Sequence, residues 1–379
     1  MIETASEQTT IPSCGHDLLP LLQFALRGLE QMQDKEGYGF CHRVRKTPEG
    51  LRREGSSVRY SAITLLGLHE AQRIGLKFPI DMDAIFNTLM ATVPEIKSAG
   101  DLALLWWLCA RMQPGRLHEL VNLKQNERLR VARPDEHSKT MESAWLLAAL
   151  AHIRMSGGGS VPEHTELALS LFRKLKRTQG RHGIFGHQDA SAARAGALRS
   201  TLGSFADQVY PIYALARCAQ AWGVEEALEC SRKCADAICS LQGSFGQWWW
   251  HYDAKSGRAV GRYPVYSVHQ DGMAPMALFA LSEASGANYD ASIYKGLAWI
   301  YGCNELQKDM RDGNTGLIWR SLYQNRLTKY SSEIMGILGK DCGPTHLHVL
   351  NECRPYHLGW LLYAFCGKLT QKRPVAIEH

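Results

Sequence analysis

The eleven cysteines of the chain include no Cys-x-x-Cys pair and follow no regular spacing. No disulfide framework is therefore expected. Cys109, Cys218 and Cys366, set within apolar helical runs, read as small hydrophobes of a reducing compartment. No apolar run reaches the roughly 18 residues that a membrane span needs. The first residues are polar and acidic, which leaves no secretory leader to expect and points to the cytoplasm. A basic stripe is missing as well. The net charge of +6 is spread over 379 residues. The short clusters Arg52–Arg53 and Arg173–Arg177 read as solvated surface, so nucleic acid is not expected as a partner. Strand signals are nearly absent. What remains is 45% apolar and 21% charged residues, the balance of a soluble globular protein with ample core. The length suits one large domain or two ordinary ones.

Helical periodicity fills the chain and alternates between two kinds. Leu18, Leu21, Leu22, Ala25, Leu29 and Met32 form one apolar stripe. Val58–Ala71 is apolar nearly all round, the mark of a helix buried on every side. The amphipathic segments Asp81–Val93, Leu117–Lys124, Pro162–Thr178, Val224–Leu241 and Ala291–Leu306 then alternate with buried ones. These are Ser98–Met112, Thr140–Ile153, Phe205–Trp222, His269–Ala284 and Tyr356–Cys366. Six outer–inner pairs make a degenerate helical-hairpin repeat. An open solenoid needs capping repeats, and the sequence shows none. The expected fold is all-α: a single (α/α)6 toroid of about twelve helices over residues 1–379. Residues 1–15 and 369–379 are expected as flexible ends, and Gly157–Gly159 as a turn between helices, not a domain linker.

The connections are uneven. Links from an inner helix to the next outer one are short, as at Phe78–Pro79, Gln113–Gly115 and Gly286–Asn288. Most links the other way are long: Asp34–Ser57, Gln179–Ser204, Gln242–Val268 and Gln307–Pro355. Long ordered loops are uncommon unless functional. All of them lie over the N-terminal, positive ends of the inner helices, so a ligand site is expected on that rim. The polar residues at the six inner-helix starts are Arg59 and Tyr60; Asp101; Glu142; Asp207, Gln208 and Tyr210; His269, Gln270 and Asp271; Tyr356 and His357. Polar groups there are costly unless paired or solvated, although the dipole alone also favours a first-turn acid. Gln242–Met273 concentrates the aromatic and polar material, with Trp248–Trp250, His251, Tyr252, Arg262, Tyr263 and Tyr266 ahead of Asp271. The blander reading is that the tryptophans plug the core and the aspartate is a cap. One pocket is expected to hold His269, Asp271, Trp250, Tyr252, Arg59, Asp207 and His357.

Four loop starts share a pattern. Gln33–Phe40 reads Q-D-K-E-G-Y-G-F, Gln179–Phe185 reads Q-G-R-H-G-I-F, Gln242–Trp248 reads Q-G-S-F-G-Q-W, and a looser copy ends in G-L-I-W at Trp319. Glycines let the chain turn at a helix end, and the glutamine is expected to bond the freed carbonyls. The pattern resembles the repeat of terpenoid cyclases and protein prenyltransferases, which are α/α toroids. That resemblance implies an architecture over most of the chain and no particular reaction. The nearest string to the cyclase acid motif, Asp81-Met82-Asp83-Ala84, lies at an outer-helix start and lacks the last acid. The zinc ligands of the prenyltransferases would fall on Asp271, Met273 and His357, with a thioether in place of the thiolate. Cys342, His346, His348 and Cys353 match no standard zinc spacing, so neither metal nor cofactor is expected.

Trp250-x-Tyr252, then Tyr266-x-x-His269-Gln270-Asp271-Gly272-Met273, with G-S-S-V-R-Y at Gly55–Tyr60, is similar to toroid proteins encoded with bacterial exopolysaccharide genes. Three functions follow as expectations. The first is a glycan-active enzyme of hydrolase, lyase or epimerase type, acting on a glycan or lipid-linked glycan. In it Asp271 with Asp207 or Glu142 forms an acid/base pair, and His269 or His357 moves a proton near neutral pH. Arg59, Tyr60, Trp248, Trp250, His251, Tyr252, Arg262, Tyr263, Tyr266, Gln270 and Tyr356 bind the sugar. The second is a terpenoid cyclase or prenyl-transfer enzyme, which the polar rim disfavours because a carbocation needs a dry cavity. The third is a toroid that binds a glycan or protein without catalysis.

Overall fold

The computed structural model describes residues 18–120, 139–157, 162–189, 200–324 and 346–370. Among these residues lie twelve α-helices in six outer–inner pairs. The first three are α1 (Leu19–Gln31) with α2 (Val58–Arg73), α3 (Met82–Ala91) with α4 (Ala99–Met112), and α5 (Leu117–Leu120) with α6 (Thr140–Met155). The others are α7 (Pro162–Thr178) with α8 (Ala206–Trp222), α9 (Glu225–Ser240) with α10 (Ala274–Ser285), and α11 (Asp290–Ile300) with α12 (Pro355–Thr370). The inner helices form a closed ring: α2 packs on α4, α4 on α6, α6 on α8, α8 on α10, α10 on α12, and α12 back on α2. Glycines allow the closure. A Cβ on Gly67 of α2 would run into the Gly359 carbonyl of α12, and one on Gly28 of α1 into the Gly316 carbonyl. The fold is thus the expected α/α toroid.

The inner helices are apolar all round because both faces are covered. Trp106 and Trp107 on α4, Tyr213 on α8 and Trp360 on α12 are all buried, and each such side chain contributes about 1.5–3 kcal/mol by leaving water. The rings of Trp107, Tyr213, Trp360 and Tyr363 pack together along the axis, with Trp107 4.9 Å from Tyr213 and 5.6 Å from Trp360. The ring is therefore plugged, not a pore. Helix α11 stops at Ile300, short of the expected Leu306. There the Asn304 amide donates to the Trp299 carbonyl and takes over the helix end.

The expectation of a nearly strand-free chain fails in the long loops, whose described residues fold into four small antiparallel sheets. The first loop gives β1 (Gln33–Asp34), β2 (Gly39–Thr47) and β3 (Gly50–Ser56), and later ones β4 (Leu202–Ser204), β5 (His251–Asp253), β6 (Arg258–Gly261) and β7 (Val265–Tyr266). The last gives β8 (Arg311–Asp312), β9 (Leu317–Ile318), β10 (Ser321–Gln324), β11 (Leu347–Leu350) and β12 (Glu352–Cys353). Buried loop backbone needs partners, and these loops find them in one another. β12 joins β2 through Val44 and Cys353, and β7 joins β10.

The repeated loop starts also differ in detail from expectation. Gln179 Nε2 donates to the Gly183 and Cys230 carbonyls, and Gln242 Nε2 to those of Gly246 and Ser292. Each glutamine therefore ties its loop to the next outer helix and leaves the end of its own helix alone. The aromatics that close the motifs, Phe40, Phe185, Trp248 and Trp319, are all core residues.

Candidate active site

His269–Met273 forms a single π turn at the head of α10. Pro275 lacks the N–H that a regular helix would give to the Asp271 carbonyl, so the turn before it widens. This turn packs on α12 and sets Asp271 against His357. Nε2 of His357 lies 2.8 and 2.9 Å from the two Asp271 oxygens. Asp271 is 0% exposed and His357 3%. Burial raises the Asp271 carboxyl pKa, and the adjacent imidazole opposes the rise. Nδ1 of His357 has no partner among the described residues. Asp271 thus orients an imidazole and is itself out of a ligand's reach.

Other residues expected at the site do different work. His269 stacks on Trp250, with ring centroids 5.8 Å apart and an 8° interplanar angle, and against Phe205 at 4.4 Å. Its Nδ1 is buried without a partner. Desolvation drives its pKa down to about 3, with Arg320 and His357 adding to the fall and the Trp248 backbone opposing it. It is a neutral core imidazole, not a group poised near neutral pH. Asp207 accepts hydrogen bonds from Met141 N, Ser204 N and Oγ, and His187 Nδ1, at 2.8–3.2 Å. It caps the start of α6 from the neighbouring hairpin, with Oδ2 taking three of the four bonds.

Gln270 clamps the loop, accepting from Trp248 N and donating to the Tyr266 carbonyl, as Gln208 does for Phe185. Trp248 and Tyr252 are wholly buried. Arg262 and Tyr263 turn aside to a separate groove of about 300 Å³ with Trp249 and Glu305, where the Tyr263 hydroxyl donates to Glu305 at 2.8 Å. Of the seven residues expected in one pocket, Tyr252, Asp207, His269, Asp271 and His357 are buried, and Asp207 and Asp271 are engaged by neighbouring groups of the protein.

Half-buried at or near the long-loop rim are Arg59, Tyr60, Asp101, Glu142, Trp250, His251, Tyr266 and Tyr356. Arg59 Nε donates to Asp101 at 2.6 Å while its guanidinium lies 5.0 Å over the Trp145 ring. Glu142, in the first turn of α6, packs beside Gly100 of α4. It has no hydrogen bond or ion pair among the described residues. Tyr60 stacks on His42 at 5.0 Å and lies tilted against Tyr356 at 4.5 Å. Burial pushes the Tyr356 hydroxyl up to about 12.

A second group escapes the sequence reading. Glu352, 3% exposed, is shared by Arg43 at 3.1 Å, Arg320 at 3.3 Å and Arg354 at 2.7 Å. Arg354 also donates to the Tyr60 hydroxyl at 2.6 Å, and Arg320 covers the Tyr266 ring. Arg43 is divided between Glu352 and Glu54, which it meets at 2.7 Å, so Arg320 and Arg354 on Glu352 are what leaves positive charge beside the aromatic faces. Arg354 carried a readable signal, since it stands before Tyr356–His357 much as Arg59 stands before Tyr60. Arg43 and Arg320 carried none, because only strand pairing brings them in.

No protein-family model matches the chain, and no curated protein is similar to it in sequence. Solved structures do resemble it. An unsaturated glucuronyl hydrolase specific for heparin superposes with a TM-score of 0.59 at 14% identity, over 93% of this chain and 97% of its own. A sugar epimerase from a ruminal bacterium gives 0.61 at 11%, over 94% and 100%. A glycosyl hydrolase family 88 protein from Bacteroides vulgatus gives 0.59 at 11%, over 94% and 99%. Likeness at these identities establishes the toroid and not the reaction. The terpenoid cyclase and prenyltransferase resemblance has no support beyond this shared architecture.

Among the described residues no three His, Cys, Asp or Glu side chains converge as metal ligands would. Of the four residues weighed for zinc, Cys342 lies outside the described residues. His346 borders them with φ 55°, His348 packs against Tyr323, and Cys353 is buried with its thiol pushed up to about 12 by desolvation. No described helix is long and apolar enough to cross a membrane.

Proposed function

We propose that the long-loop rim is the active site of a glycan-active enzyme, with Glu142 as the acid/base group and Arg59, Tyr60, Trp250, Tyr266 and Tyr356 as the binding surface. Glu142 carries the reading. It is a half-buried carboxylate with no partner among the described residues, at the head of an inner helix and beside α4, whose Asp101 is paired with Arg59 of α2. Hydrolysis, elimination and epimerisation of sugars all need a positioned group that gives or takes a proton. His357, held by Asp271, offers a second such group through Nδ1. Flat aromatic faces suit sugar rings. The positive charge that Arg320 and Arg354 leave beyond Glu352 favours a glycan that carries carboxylate, sulfate or phosphate. That structures of the same fold include a heparin-specific hydrolase and a sugar epimerase supports a glycan. The free thiols of the described cysteines fit a reducing compartment.

The test is turnover of acidic oligosaccharides, followed by new reducing ends and by formation of an unsaturated product. Glu142→Gln should retain binding and lose rate by about 10²–10⁴-fold. An unchanged rate removes Glu142 from the reaction. A second reading, binding without catalysis, is favoured by the sequestration of Asp207, His269 and Asp271, and saturable binding with no turnover would establish it. The prenyl-transfer reading loses its main aromatic support, since Trp248 is committed to the core.

A further inference from the structure

All six inner helices end at the opposite rim, and there a second pocket of about 360 Å³ opens on the toroid axis. Every inner helix contributes to its wall. Glu70 is shared by Arg73, at 2.6 Å, and Arg111. Glu283 is shared by Arg217, at 3.0 Å, and Lys368, at 3.3 Å. Four cations thus face two carboxylates. Arg111 and Arg217 are too enclosed to be solvated surface, with side chains 28% and 17% exposed. Among the described residues each keeps a buried Nε without a partner, while Arg217 Nη1 donates to Gln220 at 2.7 Å. At the pocket's inner end the Tyr213 hydroxyl bonds His152 Nε2 at 2.7 Å and the Tyr363 hydroxyl at 2.6 Å. Burial keeps His152 neutral, so it does not alter the charge balance. Trp107, stacked on His152 and Tyr213, seals this pocket from the other rim.

A structural cause competes with a ligand. Helix C-termini carry partial negative charge that basic side chains offset. Arg73, Arg111 and Lys368 stand in last turns and fit that role. Arg217 does not. It lies five residues before the end of α8 and reaches across to Glu283 of α10, and dipole balance requires no cavity.

We infer that the axial pocket binds a small dianion bearing phosphoryl, sulfate or paired carboxylate groups. Planar guanidiniums match such oxyanions, and the volume lies at the lower end of the about 300–1,000 Å³ typical of ligand pockets. The site is independent of whatever reaction the long-loop rim performs. The test uses the full chain, titrated by calorimetry with inorganic phosphate and separately with malonate, chloride holding ionic strength constant. Saturable binding of one ion per chain is expected, weakened at least about tenfold in Arg111→Gln and Arg217→Gln. If the arginines only balance helix ends, the variants melt lower while neither anion binds the native chain better than chloride. That result overturns the inference, as does binding that both variants retain. Should the variants fail to fold, native crystals soaked in selenate decide. An anomalous peak between Arg111 and Arg217 supports the site, and its absence there refutes it.

Discussion

Acid should weaken this fold through His269. The imidazole lies between Trp250 and Phe205 with one nitrogen buried and unbonded, and its pKa falls from 6.5 to about 3. An unfolded chain accepts the proton that the folded chain refuses. The stability tied to a neutral His269 is therefore fully present above its ordinary value and is lost as pH falls through that value toward about 3. At about 1.4 kcal/mol per pH unit the full window is worth about 5 kcal/mol, of which about 2 kcal/mol falls between about pH 7 and pH 5. His269→Phe keeps a ring in the stack and removes the titrating nitrogen. Urea unfolding of both chains across that range isolates the effect, because other groups titrate in both and largely cancel in the difference. The native chain should lose about 2 kcal/mol relative to the variant over those two pH units. Parallel profiles would mean that the ring titrates normally, that water reaches it, and that its exclusion from proton transfer was argued wrongly.

Asp271→Asn should lose a charge-assisted hydrogen bond to His357, costing about 1.5–3 kcal/mol. Because burial raises the native carboxyl pKa, its contribution to stability is present below the ordinary carboxylate value and lost as pH rises through the raised one. The Asn variant should flatten that acidic limb of the stability profile. If His357 transfers a proton, the variant should also alter the pH profile of kcat and leave KM nearly unchanged; an unaltered profile makes Asp271 purely structural. Gly67→Ala gains about 1 kcal/mol of helix propensity but drives a methyl into the Gly359 carbonyl, so a net loss of about 1–3 kcal/mol is expected. An unchanged melting temperature would show slack in the ring.

The alternation of helices was legible because burial writes itself into periodicity. Segments such as Ala99–Met112 and Thr140–Met155 are apolar on every face since both faces are covered. The strands were not legible. β7, β8, β9 and β12 have two residues each, too few for a period, and β12 finds its partner β2 at the other end of the sequence. The candidate site was half legible. Counting polar residues at inner-helix heads singled out the proposed Arg59, Glu142 and His357, but it does not tell which side chains are free of bonds within the protein. Asp207 and Gln270 are polar for the sake of neighbouring loop backbone. Trp248 and Trp250, two positions apart, divide between core and mouth, a matter of side-chain direction that the dense run of tryptophans concealed.

The seam between the first and last hairpins has a consequence for how the chain reaches its fold. Arg43 meets Glu352 and Tyr60 meets Arg354 across 309 and 294 positions. Such pairs reward the chain only after an immense loop has closed, which makes them slow to form. On the ribosome α2 emerges before α12, its partner in the ring, and waits for it while the intervening hairpins are made. During that interval the growing toroid is an open crescent whose two flanks are as apolar as its core. Those flanks are its greatest hazard for association with other nascent chains. A chain halted before α12 should therefore aggregate instead of persisting as five-sixths of a ring.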